Sequence, residues 1–221
     1  MIVAIDGPAG SGKSTVARGV ARRLGFTHLD SGALYRAVTL LALENGIDPR
    51  DGAALAGLAA EISLELRDHQ SVQVLADGRD VSEEIRAPAV TLASSMVAAH
   101  PEVRSVLLEK QRSLIAAGNH VVEGRDIGTV VAPTAAVKVF LTANPDERAR
   151  RRAAELEQRG DPAEADAVKT LLEQRDLLDT TRSAAPLRPA EDAVEVDTTR
   201  LSPEAAIERV VELVEQARAP R

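Results

Sequence analysis

The first fifteen residues, MIVAIDGPAGSGKST, constrain the fold more than any other stretch of the chain. Met1 to Ile5 is an apolar, partly β-branched run suited to a short strand buried on both faces. Gly7 to Ser14 then matches G-x-x-x-x-G-K-[ST], with Gly7, Gly12, Lys13 and Ser14 in the fixed places and Gly10 as a further glycine. Glycines let the backbone take positive φ and curl until successive N–H groups point inward, making a nest for phosphate oxygens at the start of a helix. The loop residues Gly7, Pro8, Ala9, Gly10, Ser11, Gly12, Lys13, Ser14 and Thr15 are therefore expected to cradle a nucleoside triphosphate, with Lys13 charging the β and γ phosphates and the Ser14 hydroxyl ligating Mg²⁺. Val16, Ala17, Val20, Ala21 and Leu24 recur at spacings of three and four, so Ser14 to Leu24 reads as the helix that the nest requires. The motif specifies the donor and leaves the acceptor open.

Composition narrows the remaining choices. A chain of 221 residues with 44% apolar content suits one sizeable domain with a substantial core. A net charge of −7 supplies no basic surplus to drive counterion release, which argues against a nucleic-acid partner. Phe26, Tyr35 and Phe140 are too few and too scattered to form a base-stacking platform. The absence of cysteine excludes disulfides, thiol catalysis and cysteine-based zinc sites. His28, His69, His100 and His120 lack metal-ligand spacing and read as ordinary core or surface residues. With no signal peptide and no long apolar run, a cytoplasmic, monomeric enzyme acting on small molecules, with no membrane partner, is expected.

Along the chain, FTHLD (Phe26 to Asp30) reads as a second strand and Ala33 to Asn45 as a helix closed by Gly46. Asp30, Ser31 and Arg36 thus fall at the C-terminal end of a strand, the side on which α/β sheets bind ligands, although Ser31 could equally be a helix cap and Arg36 a solvated charge. After a helix over Asp51 to Glu61, Ile62 to Arg67 and Val72 to Ala76 alternate apolar and polar residues, and Asp77-Gly78 signals a two-residue hairpin before Arg79 to Val81. A small antiparallel sheet inserted in an otherwise alternating chain is expected, able to cover a bound acceptor and exclude water. Helices over Ala87 to Ala99 and Glu102 to Ala117 meet at Pro101.

His120 to Glu123 is a strand candidate, followed by the glycine-bounded Arg125-Asp126, which reads either as ligand-binding or as an ion pair fixing a loop. Val137 to Thr142 gives another strand, and Asn144-Pro145-Asp146-Glu147 a well-formed helix start. That helix carries Arg148, Arg150, Arg151 and Arg152, breaks at Gly160-Asp161-Pro162, and is followed by a second helix to about Arg182. The pair is either a solvated hairpin or a lid whose arginines close on phosphates. On its second helix Arg175, Asp179 and Arg182 share one face, as a salt-bridge ladder or as part of a site. Ala193 to Asp197 is a final strand, and Ser202 caps a C-terminal helix. The expected fold class is α/β: a three-layer P-loop architecture with a five-stranded parallel sheet, a small antiparallel insertion and a helical lid. Its expected divisions are a single domain over 1–221 with core 1–61 and 100–221, insertion about 62–99 and lid about 150–165.

In order along the chain, GPAGSGKST, LDSGALYRA (Leu29 to Ala37), DGRDVSEEIR (Asp77 to Arg86), EGRDIGTVV (Glu123 to Val131), ERARRR (Glu147 to Arg152) and RDLLDTTR (Arg175 to Arg182) resemble the bacterial cytidylate kinase family. The phosphate loop is shared by many families, whereas SGALYR, GRDIGT and RDxxDxxR in this order are specific. The resemblance implies transfer of the ATP γ-phosphoryl group to CMP or dCMP with Mg²⁺, on a nucleoside-monophosphate-kinase fold with core, lid and enlarged acceptor-binding insertion. Position by position, it assigns Ser95, Arg104 and Asp126 to the cytosine ring, and Arg36, Arg125 and Arg182 to the acceptor phosphate. It further assigns Arg175 and Asp179 to the ribose with Ser31 nearby, and Lys13, Arg36, Arg125, Arg151 and Arg182 to charge stabilisation, with Arg148 and Arg152 as further lid candidates. Glu123 stands where some relatives are expected to carry aspartate, a charge-preserving change. The alternatives are a kinase of the same fold for UMP, AMP or a non-nucleotide acceptor, and a nucleotide-dependent switch; the chain lacks the guanine-reading N-K-x-D that such a switch would show.

Overall fold

The computed structural model describes residues 1–68, 72–158, 160 and 162–219. Its centre is β1 (Ile2–Asp6), whose Val3, Ala4 and Ile5 are inaccessible to solvent. β1 pairs in parallel with β6 (His120–Gly124) on one side and β7 (Val137–Thr142) on the other. β2 (Thr27–Asp30) extends the sheet beyond β6, and β8 (Val194–Asp197) beyond β7, giving the order β2-β6-β1-β7-β8. A parallel sheet must be covered on both faces, and the apolar content of these strands meets that demand. On one face α1 (Lys13–Leu24) and α8 (Pro203–Arg218) pack over Val3, Ile5, Val139 and Leu141. On the other, Ile115, Ile127 and Val131 close over Ala4, Leu29 and Val122.

Because every strand runs the same way, the last residues of β1, β2 and β6 align: Asp6 lies opposite Gly124, and Asp30 opposite Glu123. The loops and helix starts that follow them therefore open on a single edge of the sheet. The remaining helices are α2 (Ser31–Glu44), α3 (Gly52–Glu61), α4 (Pro88–Val97), α5 (Pro101–Leu114), α6 (Pro145–Gln158) and α7 (Ala165–Thr181). Between α3 and α4 lies the second sheet: β3 (Leu64–Asp68), β4 (Val72–Ala76) and β5 (Arg79–Asp80), antiparallel throughout. The Asp77-Gly78 hairpin has positive φ at both residues (50° and 80°), the geometry of the tight turn that this dipeptide favours. This sheet packs Val74 and Ala76 against Ala37 and Leu40 of α2.

The expected elements are present with boundaries moved by a few residues. α2 begins at Ser31 rather than Ala33, because Asp30 is its cap and accepts from the Ala33 N–H at 3.2 Å. Asn144 caps α6 as expected, accepting from the Asp146 N–H at 2.9 Å. Two features depart from expectation. Arg182 lies just past α7 in an extended conformation (φ −59°, ψ 143°), so it does not share a helix face with Arg175 and Asp179. Ile127–Val131 forms a π-helical turn where no helix was expected. Of the four histidines, His69 lies outside the described residues, as does Asp161. Among the described residues no helix is long and apolar enough to cross a membrane, and no cluster of three His, Asp or Glu could hold a metal.

One close approach anchors the phosphate loop. Gly7 has φ +148°, and a Cβ there would lie 2.1 Å from the Leu141 carbonyl oxygen of the neighbouring strand. We expect Gly7→Ala to cost about 3 kcal/mol or more in urea unfolding, since backbone must yield on both sides and the φ is unfavourable for any side chain.

Candidate active site

A cleft of about 640 Å³ opens over the sheet edge, floored by the phosphate loop at one end and walled by α2, α4, α5 and α7 at the other. At the loop, Gly10 and Gly12 carry φ values of +76° and +87°, conformations that glycine reaches without strain. The Lys13 ammonium folds back onto the Pro8 carbonyl at 2.6 Å. Burial, with the nearby guanidinium of Arg125, lowers its pKa well below that of an ordinary lysine, and Glu123 and Asp6 oppose the shift. A phosphate anion beside it would favour the charged form.

Ser14 Oγ donates to Glu123 Oε2 at 2.7 Å, and the other oxygen of that carboxylate lies 2.9 Å from His28 Nε2. A hydroxyl and a carboxylate at the base of a phosphate nest are the oxygen donors a hard divalent cation takes, so Ser14 and Glu123 fit Mg²⁺ held jointly with nucleotide phosphates. Ser31 Oγ donates to the Glu123 carbonyl at 2.8 Å, tying α2 to the end of β6.

Opposite the loop, guanidinium groups from four parts of the chain converge. Arg36 pairs with Asp30 at 2.6 Å, and Arg125 Nε donates to Asp179 Oδ2 at 2.9 Å. Arg182 bridges two carboxylates, 3.4 Å from Asp179 and 3.8 Å from Asp126. Arg104 pairs with Asp126, donates to the Ala98 carbonyl at 3.1 Å and lies over the Tyr35 ring at 5.3 Å. Arg175 lines the cleft, its pKa pushed down to about 10 by burial and by Arg125. Buried Arg175 Nε and Arg182 Nη2 have no hydrogen-bond partner. Two orphaned donors beside several compensated cations mark a place where an anion is wanted.

The expected site residues are thus distributed as follows. Arg36, Arg125, Asp126, Arg175 and Asp179 all line one cleft with Lys13, Ser14 and Ser31, and Ser95 and Arg104 form its far wall. Arg182 stands behind Asp126 and Asp179. Arg151, expected to be catalytic, is outside the lining: it donates to Glu147 at 2.8 Å and to Thr198 Oγ1 and the Thr198 carbonyl at 2.9 and 2.6 Å. Arg152 does line the cleft, and Arg148 pairs with Asp176 while donating to the Ala9 carbonyl at 3.1 Å. Reading the residues alone missed three members of the surroundings: Glu123 as the partner of Ser14, Tyr35 beneath Arg104, and Asp6. The signal for Glu123 and Asp6 was present, since each is a lone acid at the end of an apolar strand.

A parallel sheet of this order, a glycine-rich phosphate nest and a facing cleft of guanidinium groups define a P-loop phosphotransferase with an anionic acceptor. A gluconokinase from Sinorhizobium meliloti 1021 shares the fold with a TM-score of 0.50, at 17% identity over 98% of this chain and 93% of its own. A family model described as cytidylate kinase matches residues 3–216. A cytidylate kinase of Geobacillus kaustophilus (strain HTA426) is 49% identical over 215 residues, covering 97% of this chain and 96% of its own. One from Pelotomaculum thermopropionicum is 48% identical over 218 residues, 98% of this chain and 96% of its own. A bifunctional pantoate ligase/cytidylate kinase of Prochlorococcus marinus (strain MIT 9303) is 50% identical over 215 residues, 96% of this chain and 44% of that longer protein. The chain belongs to the cytidylate kinase family, and it is an enzyme of the kinase class.

The cluster of opposite charges carries a pH signature. Burial alone would raise the Asp179 carboxyl, but Arg125, Arg175 and Arg182 together hold it below the ordinary value of 3.8. A carboxyl depressed on folding stabilises the protein above its unfolded pKa and loses that contribution as pH falls through the folded value. Urea midpoints of the wild type should therefore drop steeply below about pH 4, and less steeply in Asp179→Asn.

Proposed function

We propose that this chain transfers the γ-phosphoryl group of ATP to CMP or dCMP, giving ADP and the nucleoside diphosphate. The observation that carries this reading is the single cleft that brings Arg36, Arg125, Asp126 and Asp179 opposite the phosphate loop, backed by family membership. Arg36, Arg125 and Arg182 hold the acceptor phosphate, exchanging their carboxylate partners for its oxygens. Arg175 and Asp179 take the ribose, with Ser31 beside them. Ser95, Arg104 and Asp126 read the base: cytosine offers an amino donor to a carboxylate, and ring-nitrogen and carbonyl acceptors to a guanidinium and a hydroxyl. Uracil would turn an oxygen toward Asp126 and leave buried groups unpaired, a loss of several kcal/mol at the upper end, on the order of 10⁴-fold in discrimination.

No general base is required. The second pKa of a phosphate monoester lies near ~6, so the acceptor is mostly dianionic at neutral pH. This chain's contribution is in-line positioning, exclusion of water and fixed positive charge. Lys13 charges the donor phosphates, and Ser14 and Glu123 would hold Mg²⁺, which would supply further positive charge to those phosphates. Among the lid arginines, Arg152 already lines the cleft and takes the role on the transferring group. Arg151 flanks the donor loop instead, its Nη1 3.8 Å from where a Gly12 Cβ would stand. The β3-β4-β5 sheet with α4, about 62–99, acts as the acceptor-side insertion, and about 150–165 as the lid, within one domain over 1–221. A cytoplasmic, monomeric enzyme completes the reading, its donor being a cytoplasmic metabolite and its site built within one chain.

Initial rates across CMP, dCMP, UMP and AMP test the acceptor, with CMP and dCMP expected to lead and faster UMP turnover overturning the assignment. Asp126→Ala should lower kcat/KM for CMP by tenfold or more with ATP binding little changed. Arg182→Ala should cost at least about tenfold in kcat/KM, roughly 1.4 kcal/mol; a change under about twofold would return Arg182 to a structural ion pair.

A further inference from the structure

Asp6 is a buried carboxylate for which the reaction above has no use. It is the last residue of β1 and is followed at once by Gly7, the first residue of the phosphate loop. Its two oxygens are both engaged by the chain 121 residues away: Oδ1 accepts from the Ile127 N–H at 2.8 Å, and Oδ2 from the Gly128 N–H at 2.7 Å. These are the first N–H groups of the π-helical turn, whose own bonds begin later, from Val130 and Val131 to the Asp126 carbonyl and from Ala132 to Ile127. Leading N–H groups of a helical turn have no internal partner, and here a side chain from another strand satisfies both.

The turn so fixed carries Arg125 and Asp126 on its leading edge. Their side chains diverge, Arg125 to Asp179 and Asp126 to Arg104 and Arg182, so a small rotation of this backbone would displace the proposed phosphate and base contacts together. The preceding Gly124 leaves no slack, since a Cβ there would lie 2.5 Å from Ser31 Oγ. We propose that Asp6 is a positioning residue that clamps the Arg125-Asp126 turn to the phosphate loop, holding the acceptor contacts in register with the donor.

The charged form is required, because only a carboxylate accepts two N–H bonds with both oxygens. Burial pushes the Asp6 carboxyl up to about 6, against the lowering effect of the Gly128 and Ile127 bonds, with Asp126 adding to the rise and Lys13 opposing it. The Lys138 side chain of β7 passes close to Gly128 as Asp6 does, with its ammonium donating to Asp192 at 2.8 Å. A carboxyl raised on folding contributes stability below its unfolded pKa and loses it as pH rises through the folded value. The ionised clamp therefore costs the fold something at neutral pH, the mark of a group kept for geometry rather than for stability.

Asp6→Asn tests this, since the amide keeps one acceptor and turns an NH₂ toward the other N–H. In the ligand-free chain at pH 7.5, hydrogen exchange at Ile127 and Gly128 should rise at least about tenfold while that of Val3 to Ile5 is unchanged, and Tm should stay within about 3 °C of wild type or exceed it. With CMP, kcat/KM should fall at least about tenfold with KM for ATP within about twofold. Unchanged exchange at Ile127 and Gly128, or kinetics for CMP within about twofold, or an equal rise in KM for ATP, would overturn the proposal. Should the variant not fold, the wild type decides: the Ile127 and Gly128 amide resonances should titrate with a midpoint of about 6 in the absence of nucleotide, and flat resonances would overturn it. The kinetic arm rests on the acceptor reading, but the amide arm does not. Wild-type enzyme inactive on CMP would sink the former while leaving the clamp to be judged on exchange and titration.

Discussion

The rest of the site depends on how closely the backbone of Gly7 lies against the Leu141 carbonyl. That approach fixes where the phosphate loop leaves the sheet, and the parallel registers of β1 with β6 and β7 then fix where the neighbouring loops must begin. A bulkier residue would push the loop off the sheet edge. Everything placed by register, from Glu123 beneath Ser14 to the Arg125-Asp126 turn, would lose its relation to the donor end.

Around this frame the cleft solves an electrostatic problem. A chain with net charge −7 gathers Arg36, Arg104, Arg125, Arg175 and Arg182 within one small region. Each would be costly to bury alone, and Asp30, Asp126, Asp176 and Asp179 make the arrangement tolerable. The carboxylates are shared rather than matched one to one: Asp179 serves Arg125 and Arg182, and Asp126 serves Arg104 and Arg182. Sharing leaves a positive surplus at the cleft, seen in the depressed Arg175, and leaves Arg182 Nη2 with an ion pair to Asp126 but no hydrogen bond.

Much of the fold was legible because its signals are local. Strand, nest and helix at the N-terminus, the Asp77-Gly78 hairpin and the Asn144-Pro145 cap are each specified within a few residues. The π-helical turn at Ile127–Val131 was not legible, because its first bonds come from Asp6, far away in sequence. Site residues embedded in motifs, such as Arg125, Asp126 and Asp179, were read in advance as candidates and lie together in the cleft. Glu123, Tyr35 and the anchoring of Arg151 outside the cleft lining were not, since each is decided by a partner distant in sequence: Ser14, Arg104 and Thr198.

The paired state of the cleft bears on how it empties. On the acceptor reading proposed above, the pairing of Arg36 with Asp30 and of Arg125 with Asp179 means that a departing diphosphate would leave counter-charges already in reach rather than a bare cationic hole. On that reading each arginine would change hands between an internal carboxylate and an external anion of similar geometry. The grip on any one anion is thereby moderated in both directions, which suits a catalyst that must let go of a more highly charged molecule than the one it captured.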